Sequence, residues 1–343
     1  MFITTILLAL IFLSIIVMIH ELGHFLVAKS VGIYAEEFSI GMGPRLLKIQ
    51  GKETEYSLRL LPIGGYVKFR GEDEESSDPR AFRNAKVWKR MAVISAGPIM
   101  NFVLAALLFT IMLMAWGYIV PEVGEVIPDS PAYHAGLEPG DRFVSLEGTD
   151  LSALTSGEAV NVIRSKILNS EGRPIDVIID RNGSLHTLTV TPKLVEEDGQ
   201  KYYQIGFVFA TSKPGLFSAI GMSVKSTGVM LVNMIELLGG LFFKGQGVGD
   251  ITGPVGIVRE VGRAAQAGID QIITLGIVIT ANLGLINLIP FPALDGGRLV
   301  LLLIEGLRGK PIDARKEGYI HLVGFVVLIL LMLVVTYKDI FGF

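Results

Sequence analysis

The chain has 343 residues, 30 Lys+Arg against 33 Asp+Glu for a net charge of −3, 50% hydrophobic residues, only 18% charged ones and no cysteine. With a mean hydropathy of +0.54 it is too apolar for an intrinsically disordered chain. The missing cysteine removes disulfide scaffolds, thiol enzymes and Cys-ligated zinc or iron–sulfur sites, and the near-balanced charge gives no basis for a nucleic-acid partner.

The apolar residues lie in blocks, which reads as an α-helical polytopic membrane protein. Phe2 to Ile19 is uncharged, passes directly into His20-Glu21-Leu22-Gly23-His24 and stays apolar to Ala28. That satisfies the roughly 20 residues needed to cross a hydrocarbon core of ~30 Å. A cleaved signal peptide is the alternative, but no Lys or Arg precedes Lys29 and the apolar stretch is long for one. Residues 1–29 are therefore read as a first transmembrane helix. Within 36–70, Ile40 to Pro44 followed by Thr54 to Phe69 reads as a β-hairpin turning near Pro62–Gly65. Met91 to Pro121 carries no charge, and 91–120 is read as a second span.

Residues 122–200 change character, with short alternating runs and frequent turn residues. Gly124–Ile127, Arg142–Leu146, Ile175–Ile179 and Leu185–Val190 read as strands, the last two joined by an Arg181-Asn182-Gly183 turn. Ser156 to Leu168 suits a helix, and a β-rich domain over 121–195 follows. Its His134 and His186 read as surface or strand histidines. Pro214 to Phe243 holds only Lys225 and Glu236 as charges. A fifth crossing there would put the basic 308–316 connection outside, so 214–248 is read as amphipathic helices on the outer membrane surface. Residues 269–306 form a third span, interrupted by Asp295 and broken at Pro290 and Pro292, and 318–338 form a fourth. Arg80, Arg83, Lys86, Lys89 and Arg90, together with Arg308, Lys310, Arg315 and Lys316, mark the cytoplasmic side. The β-rich insert then faces away from the cytoplasm.

Chemistry is concentrated in the few ionisable groups inside the spans. H-E-x-x-H on a helix places two histidines on one face to ligate one metal, with a glutamate beside them to handle a water proton. Charged and titratable residues within a span are costly and are functional candidates by default. Two histidines leave a catalytic zinc site one protein ligand short, and Asp295 is the remaining intramembrane carboxylate. His20 lies about 27 Å along the first helix at 1.5 Å per residue. Asp295 lies about 36 Å along the third on a straight path, which the two prolines shorten. An interfacial cap is the alternative reading of Asp295. Two imidazole nitrogens and one carboxylate oxygen suit Zn2+, with Glu21 as general base and acid. The reaction implied is peptide hydrolysis inside the membrane.

The motifs are those of a known family. The chain resembles bacterial site-2-type intramembrane zinc metalloproteases carrying a PDZ domain, the RseP/RasP type, over essentially its full length. His20, Glu21 and His24 match the family's metal motif. Asn287-Leu288-Ile289-Pro290-Phe291-Pro292-Ala293-Leu294-Asp295-Gly296-Gly297 matches its third-span segment, which makes Asp295 the implied third ligand. The resemblance also implies that Asn282 and Asn287 hold unwound substrate, helix–helix hydrogen bonding being the other use for such amides. Ser95 to Asn101 is similar to the family's second-span motif, with a close-packing, site-shaping role. Ala132-Tyr133-His134-Ala135-Gly136-Leu137-Glu138-Pro139-Gly140-Asp141 resembles the signature of bacterial PDZ domains. The 36–70 hairpin resembles a membrane-associated β element that pairs with substrate, and Ile251 to Ile257 resembles the segment leading into the third span.

The expectation is four transmembrane helices with an inserted β-rich PDZ domain and a membrane-associated β-hairpin, in the bacterial inner (cytoplasmic) membrane. The expected activity is zinc-dependent cleavage of transmembrane segments of single-span proteins, anti-sigma factors and remnant signal peptides by family implication. A peptide at the PDZ groove and the lipid bilayer are the other expected partners. A membrane-anchored PDZ scaffold or chaperone without proteolysis is the rival. A transporter is disfavoured because no inverted repeat is visible.

Overall fold

A proline-free run, uncharged as far as Ile19, makes the first helix, α1 (Phe2–Val31). Gly32 takes φ 83° and ends it, with the Ile33 N–H donating to the Ala28 carbonyl at 2.9 Å in a Schellman-type cap. A computed structural model describes residues 2–72, 74, 76–197, 200–245 and 252–341. The chain divides into two units, Met1–Met112 with Ile220–Phe343, and Leu113–Ala219.

In the first unit, α1 is followed by two long strands, β1 (Ala35–Gln50) and β2 (Glu55–Phe69). They reverse at 51–54 and then fold back on themselves. The tip pairs Gln50 with Glu55 and Arg45 with Arg59, whereas the base pairs Ala35 with Phe69 and Ile40 with Gly65. The base segment is also flanked on its other side, from Glu37 beside Glu55 to Ile40 beside Leu58. The chain does bend at Pro62–Gly65, but the reversal closing the hairpin lies at 51–54, a correction to the sequence reading. Gly41 makes the fold possible: it sits at φ 82°, and a Cβ there would lie 2.5 Å from the Leu61 carbonyl oxygen.

A buried ionic cluster staples the doubled hairpin. Glu37 Oε1 accepts from Ser57 Oγ at 2.6 Å and Arg59 Nη2 at 2.8 Å, while Arg59 donates to Ser39, Gly43 and Tyr66. Burial works to raise the Glu37 pKa, but these hydrogen bonds and the Arg59 charge outweigh it and hold the carboxyl down to about 2. Met42, Leu46, Leu47, Ile49, Leu60 and Leu61 remain exposed on the hairpin, an apolar surface of the kind that meets lipid or partner. After a short 3-10 turn at Phe82–Asn84 comes α2 (Val87–Trp116), which contains Pro98. Phe25, Ala28, Phe38, Phe69, Phe82, Val93 and Ile94 pack α1, the hairpin base and α2 into one core.

The second unit is the separate β-rich region: β3 (Tyr118–Val126), α3 (Pro131–His134), β4 (Arg142–Leu146), β5 (Thr149–Asp150), α4 (Ser156–Leu168), β6 (Ile175–Arg181), β7 (Ser184–Val190), β8 (Lys193–Glu197), β9 (Gln200–Gln204) and β10 (Phe207–Ser212). One sheet has the order β10-β3-β4-β6-β7, with β5 on β4. Thr155 and Glu158 form a reciprocal capping box on α4. Val123, Phe143, Leu146, Ile163, Ile175, Val177 and Ile179 form its core. Asp141 is fully buried and takes a two-pronged ion pair from Arg181, 2.7 Å at each oxygen. Burial pushes its pKa up, yet Arg181 and the Glu138 N–H pull harder and leave it lowered.

The first unit resumes along α5 (Leu216–Lys244), then α6 (Pro254–Ala267), α7 (Ile269–Leu288), α8 (Asp295–Arg308) and α9 (Ala314–Phe341). Asp339 on α9 accepts the Gly253 and Gly256 N–H groups at 3.2 and 2.8 Å, capping α6. Among the described residues five helices are long and apolar enough to cross a membrane: Thr4–Val31, Val87–Trp116, Leu216–Gly240, Ile269–Leu288 and Arg315–Phe341. The third of these occupies most of the 214–248 stretch, whose residues 246–248 lie outside the described residues, as does Ile251.

Candidate active site

The i,i+4 spacing of His20 and His24 puts both imidazoles on one face of α1. There they are 6% and 7% exposed, with Nε2 atoms 3.2 Å apart. Asp295 reaches them from another element. Pro290 and Pro292 cannot continue α7, so 289–294 forms a non-helical connection before α8, and Asp295 stands in the first turn of α8. A helix N-terminus favours a carboxylate. The two glycines that follow permit a close return of the chain: a Cβ on Gly297 would lie 2.8 Å from the Phe291 carbonyl carbon, and one on Gly296 would strike the Leu288 and Ile289 carbonyls. Ala293 takes φ 74°, a rare value for a residue with a Cβ, and its N–H donates to His321 Nδ1 on α9 at 3.0 Å. Gly324, also on α9, lies flush against Pro292. Two contacts from α9 thus hold the loop that carries Asp295.

Asp295 Oδ2 lies 3.1 Å from His20 Nε2 and 3.4 Å from His24 Nε2. His24 Nδ1 is 2.8 Å from the Val93 carbonyl oxygen. A carbonyl only accepts, so a neutral His24 carries its proton on Nδ1 and presents a lone pair at Nε2. Asp295 Oδ2 is itself a buried oxygen with no hydrogen-bond partner. Lone pairs crowded together in this way repel unless a proton or a metal ion sits among them. Four tetrahedral ligands at about 2.05 Å from a metal are about 3.3 Å apart, which matches the observed triangle. His20, His24 and Asp295 are the described residues able to hold a metal ion together, their ligand atoms all within 4.8 Å of one another. The donor set is nitrogen and carboxylate oxygen, which fits zinc.

These groups line a polar cavity of about 280 Å3 with Glu21, Val67, Phe69, Asn287 and Arg298. Glu21 is adjacent in sequence to His20 and turns to the hairpin side, where a Cβ on Gly65 would be 3.7 Å from its Cγ. The strand segment 65–69 therefore borders the cavity. Arg298, one turn along α8 from Asp295, pairs with Glu72 at 2.5 Å, so these two charges offset each other. Asn287 lines the cavity, but Asn282 is exposed on α7 and does not. At 100° per residue the two amides point about 140° apart. A larger groove of about 580 Å3, lined by Trp88, Met91, Leu299 and Leu303 among others, carries none of the candidate ligands.

Two residues of the 95–101 motif, read from sequence only as close-packing and site-shaping, meet the histidines directly. A Cβ on Gly97 of α2 would lie 2.7 Å from His20 Nε2 and would strike His24 Nε2, so only glycine leaves room for both imidazole tips. Asn101, one turn further, is fully buried with Nδ2 3.2 Å from His20 Nδ1. The motif pointed to the region, but not to which of its atoms meet which histidine.

The model of peptidase family M50 matches residues 8–331. A relative from Clostridium acetobutylicum is 38% identical over 98% of this chain and 97% of its own. The zinc metalloprotease RasP of Geobacillus kaustophilus is 32% identical over 95% of each chain. The regulator of sigma-W protease RasP of Bacillus subtilis is 29% identical over 99% of each.

Proposed function

The chain belongs to peptidase family M50 and is a metalloprotease, and on that premise we propose that it is an intramembrane zinc endopeptidase acting on transmembrane segments of single-span proteins. The convergence of His20, His24 and Asp295 within 4.8 Å carries this reading, with Glu21 lining the same cavity between apolar helices. His20, His24 and Asp295 would hold the ion. When bound, zinc supplies Lewis acidity, polarising a peptide carbonyl and making water more acidic. Glu21 takes the proton from the attacking water and delivers it to the leaving amine.

A peptide bond in a transmembrane helix is hidden by the helix's own hydrogen bonds and must be exposed before hydrolysis. The 65–69 segment bordering the cavity offers backbone groups for strand addition by an unwound substrate. The Asn287 amide supplies a donor and an acceptor to the same backbone. Asn282 belongs to the same proposal, further from the cavity. Four spans, α1, α2, α7 and α9, with α5 on the outer surface, satisfy the positive-inside rule. The β-rich unit is then an extracytoplasmic PDZ domain of a protein in the bacterial cytoplasmic membrane. The naming of one relative as a regulator of sigma-W protease favours anti-sigma factors among the substrates, with remnant signal peptides beside them.

The test uses protein purified in detergent with a tagged single-span substrate. Wild type should contain zinc and cleave, whereas Asp295→Ala should lose both. Unchanged zinc content in Asp295→Ala removes that residue from the ligand set. Substrate binding without cleavage in the zinc-loaded wild type would favour the scaffold or chaperone.

A further inference from the structure

Asn101 is a fully buried amide inside an apolar helix, and its Oδ1 has no hydrogen-bond partner. An unpaired carbonyl oxygen is costly in that setting. Its other polar atom, Nδ2, faces His20 Nδ1 at 3.2 Å. If His20 ligates through Nε2, as proposed above, its neutral ring carries the proton on Nδ1. The group facing Nδ1 must then accept, which Nδ2 cannot do. A half-turn of the amide exchanges O and N without changing its outline. It brings the unpaired oxygen to the ring proton and satisfies both groups at once.

We propose that Asn101 is the positioning residue for His20, its Oδ1 accepting the Nδ1 proton and holding the tautomer and ring plane that aim Nε2 at the metal. The inference rests on the ligand reading of His20. It is supported by a repeat on α2: Val93, Gly97 and Asn101 are spaced i, i+4, i+8 and share one face. Val93 offers its carbonyl to His24 at 2.8 Å, Gly97 leaves room for both Nε2 atoms, and Asn101 meets His20. One stripe of α2 thus matches, turn for turn, the histidine pair of α1. The α7 helix fixes the height of the stripe. Thr280 Oγ1 donates to the Asn101 carbonyl at 3.4 Å, and the missing Cβ of Gly284 admits the Asn101 Cβ, which would otherwise sit 3.1 Å away.

Metal-ligand partners of this kind are typically worth about 10- to 100-fold in metal affinity. Zinc affinity is measured on the full chain in detergent by competition with a chromophoric chelator, alongside thermal unfolding of the zinc-free protein. Asn101→Leu, similar in size but without an acceptor, should weaken zinc binding about 10- to 100-fold while the zinc-free unfolding midpoint holds. Asn101→Asp, which accepts and cannot donate, should bind zinc at least as well as wild type. An unchanged affinity in Asn101→Leu overturns the proposal, as does an Asn101→Asp as weak as the leucine variant. A readout on the wild type alone covers variants that do not fold. In zinc-loaded protein labelled with 15N-histidine, the His20 Nδ1 proton should be protected from solvent exchange, and a freely exchanging one overturns the assignment. His20→Ala separates the two readings. Zinc retained in His20→Ala defeats the ligand reading, whereas zinc lost there and kept at full affinity in Asn101→Leu defeats only the positioning role.

Discussion

Gly97→Ala adds a single methyl group at the point where both histidine tips meet α2. The new Cβ would stand 2.7 Å from His20 Nε2 and 2.5 Å from His24 Cε1. Ordinary contact begins near 3.4 Å, so the rings must retreat by about 0.7 Å and 0.9 Å. Metal–ligand distances tolerate only about ±0.2 Å. Two ligands are therefore displaced beyond tolerance at once, and zinc affinity should fall by about 100-fold or more, equivalent to about 2.8 kcal/mol. The fold should survive, because the atoms that must move are side-chain ends, and alanine is favoured over glycine in a helix by about 1 kcal/mol. The assay pairs chelator competition with thermal unfolding of the zinc-free protein. A Gly97→Ala protein binding zinc within about threefold of wild type would refute the reasoning. A collapse of zinc-free stability would show that the glycine serves packing and not the ligands.

The remaining expectations test other parts of the molecule. Glu21→Gln should keep its zinc and lose about 10²- to 10⁴-fold in turnover of a tagged single-span substrate; turnover near wild type would remove Glu21 from proton transfer. The Glu37 pKa falls from an ordinary 4.5 to about 2, so its ionised form favours the folded hairpin. That stability is full above pH 4.5 and is lost as pH falls toward 2, up to about 3 kcal/mol. Amide exchange in 35–69, corrected for intrinsic rates, should rise across that window in wild type and not in Glu37→Gln. Asp141→Asn leaves Arg181 facing a neutral buried group and should destabilise the β-rich unit by about 3 kcal/mol. Exchange protection of β4 and β6 in the full chain reports it, and unchanged protection would mean the pair is structurally idle.

The membrane character, the helical bulk and the separate β-rich region were legible because they rest on where charge is missing and where alternation begins. The residues of the triangle were legible too. His20 and His24 share a helix face by spacing alone, and Asp295 is the one carboxylate between Gln271 and Ile304. What was not legible depends on partners distant in the chain. Nothing local says that Glu37–Ile40 will be flanked by both 65–69 and 55–58, although Gly41 and Gly43 mark a bend. Likewise β10 returns across some eighty residues to pair with β3, and its short run looks like many exposed strands. Gly97 and Asn101 were read within the 95–101 motif as close-packing and site-shaping, without individual roles. Such pairs serve helix packing as readily as a site, and only the facing His20 and His24 decide. The divergence of Asn282 from Asn287 follows from helical pitch and was available beforehand.

The last helix supplies no candidate ligand, and its outer surface is largely exposed apolar side chains. Yet it holds the Asp295 loop at Ala293 and Pro292 near one end and caps α6 through Asp339 near the other. A C-terminal truncation or a fusion that strains α9 therefore acts on the Asp295 loop from behind. For anyone mapping the minimal active fragment, the boundary set by chemistry and the boundary set by mechanical support do not coincide, and the second lies some forty residues further along the chain.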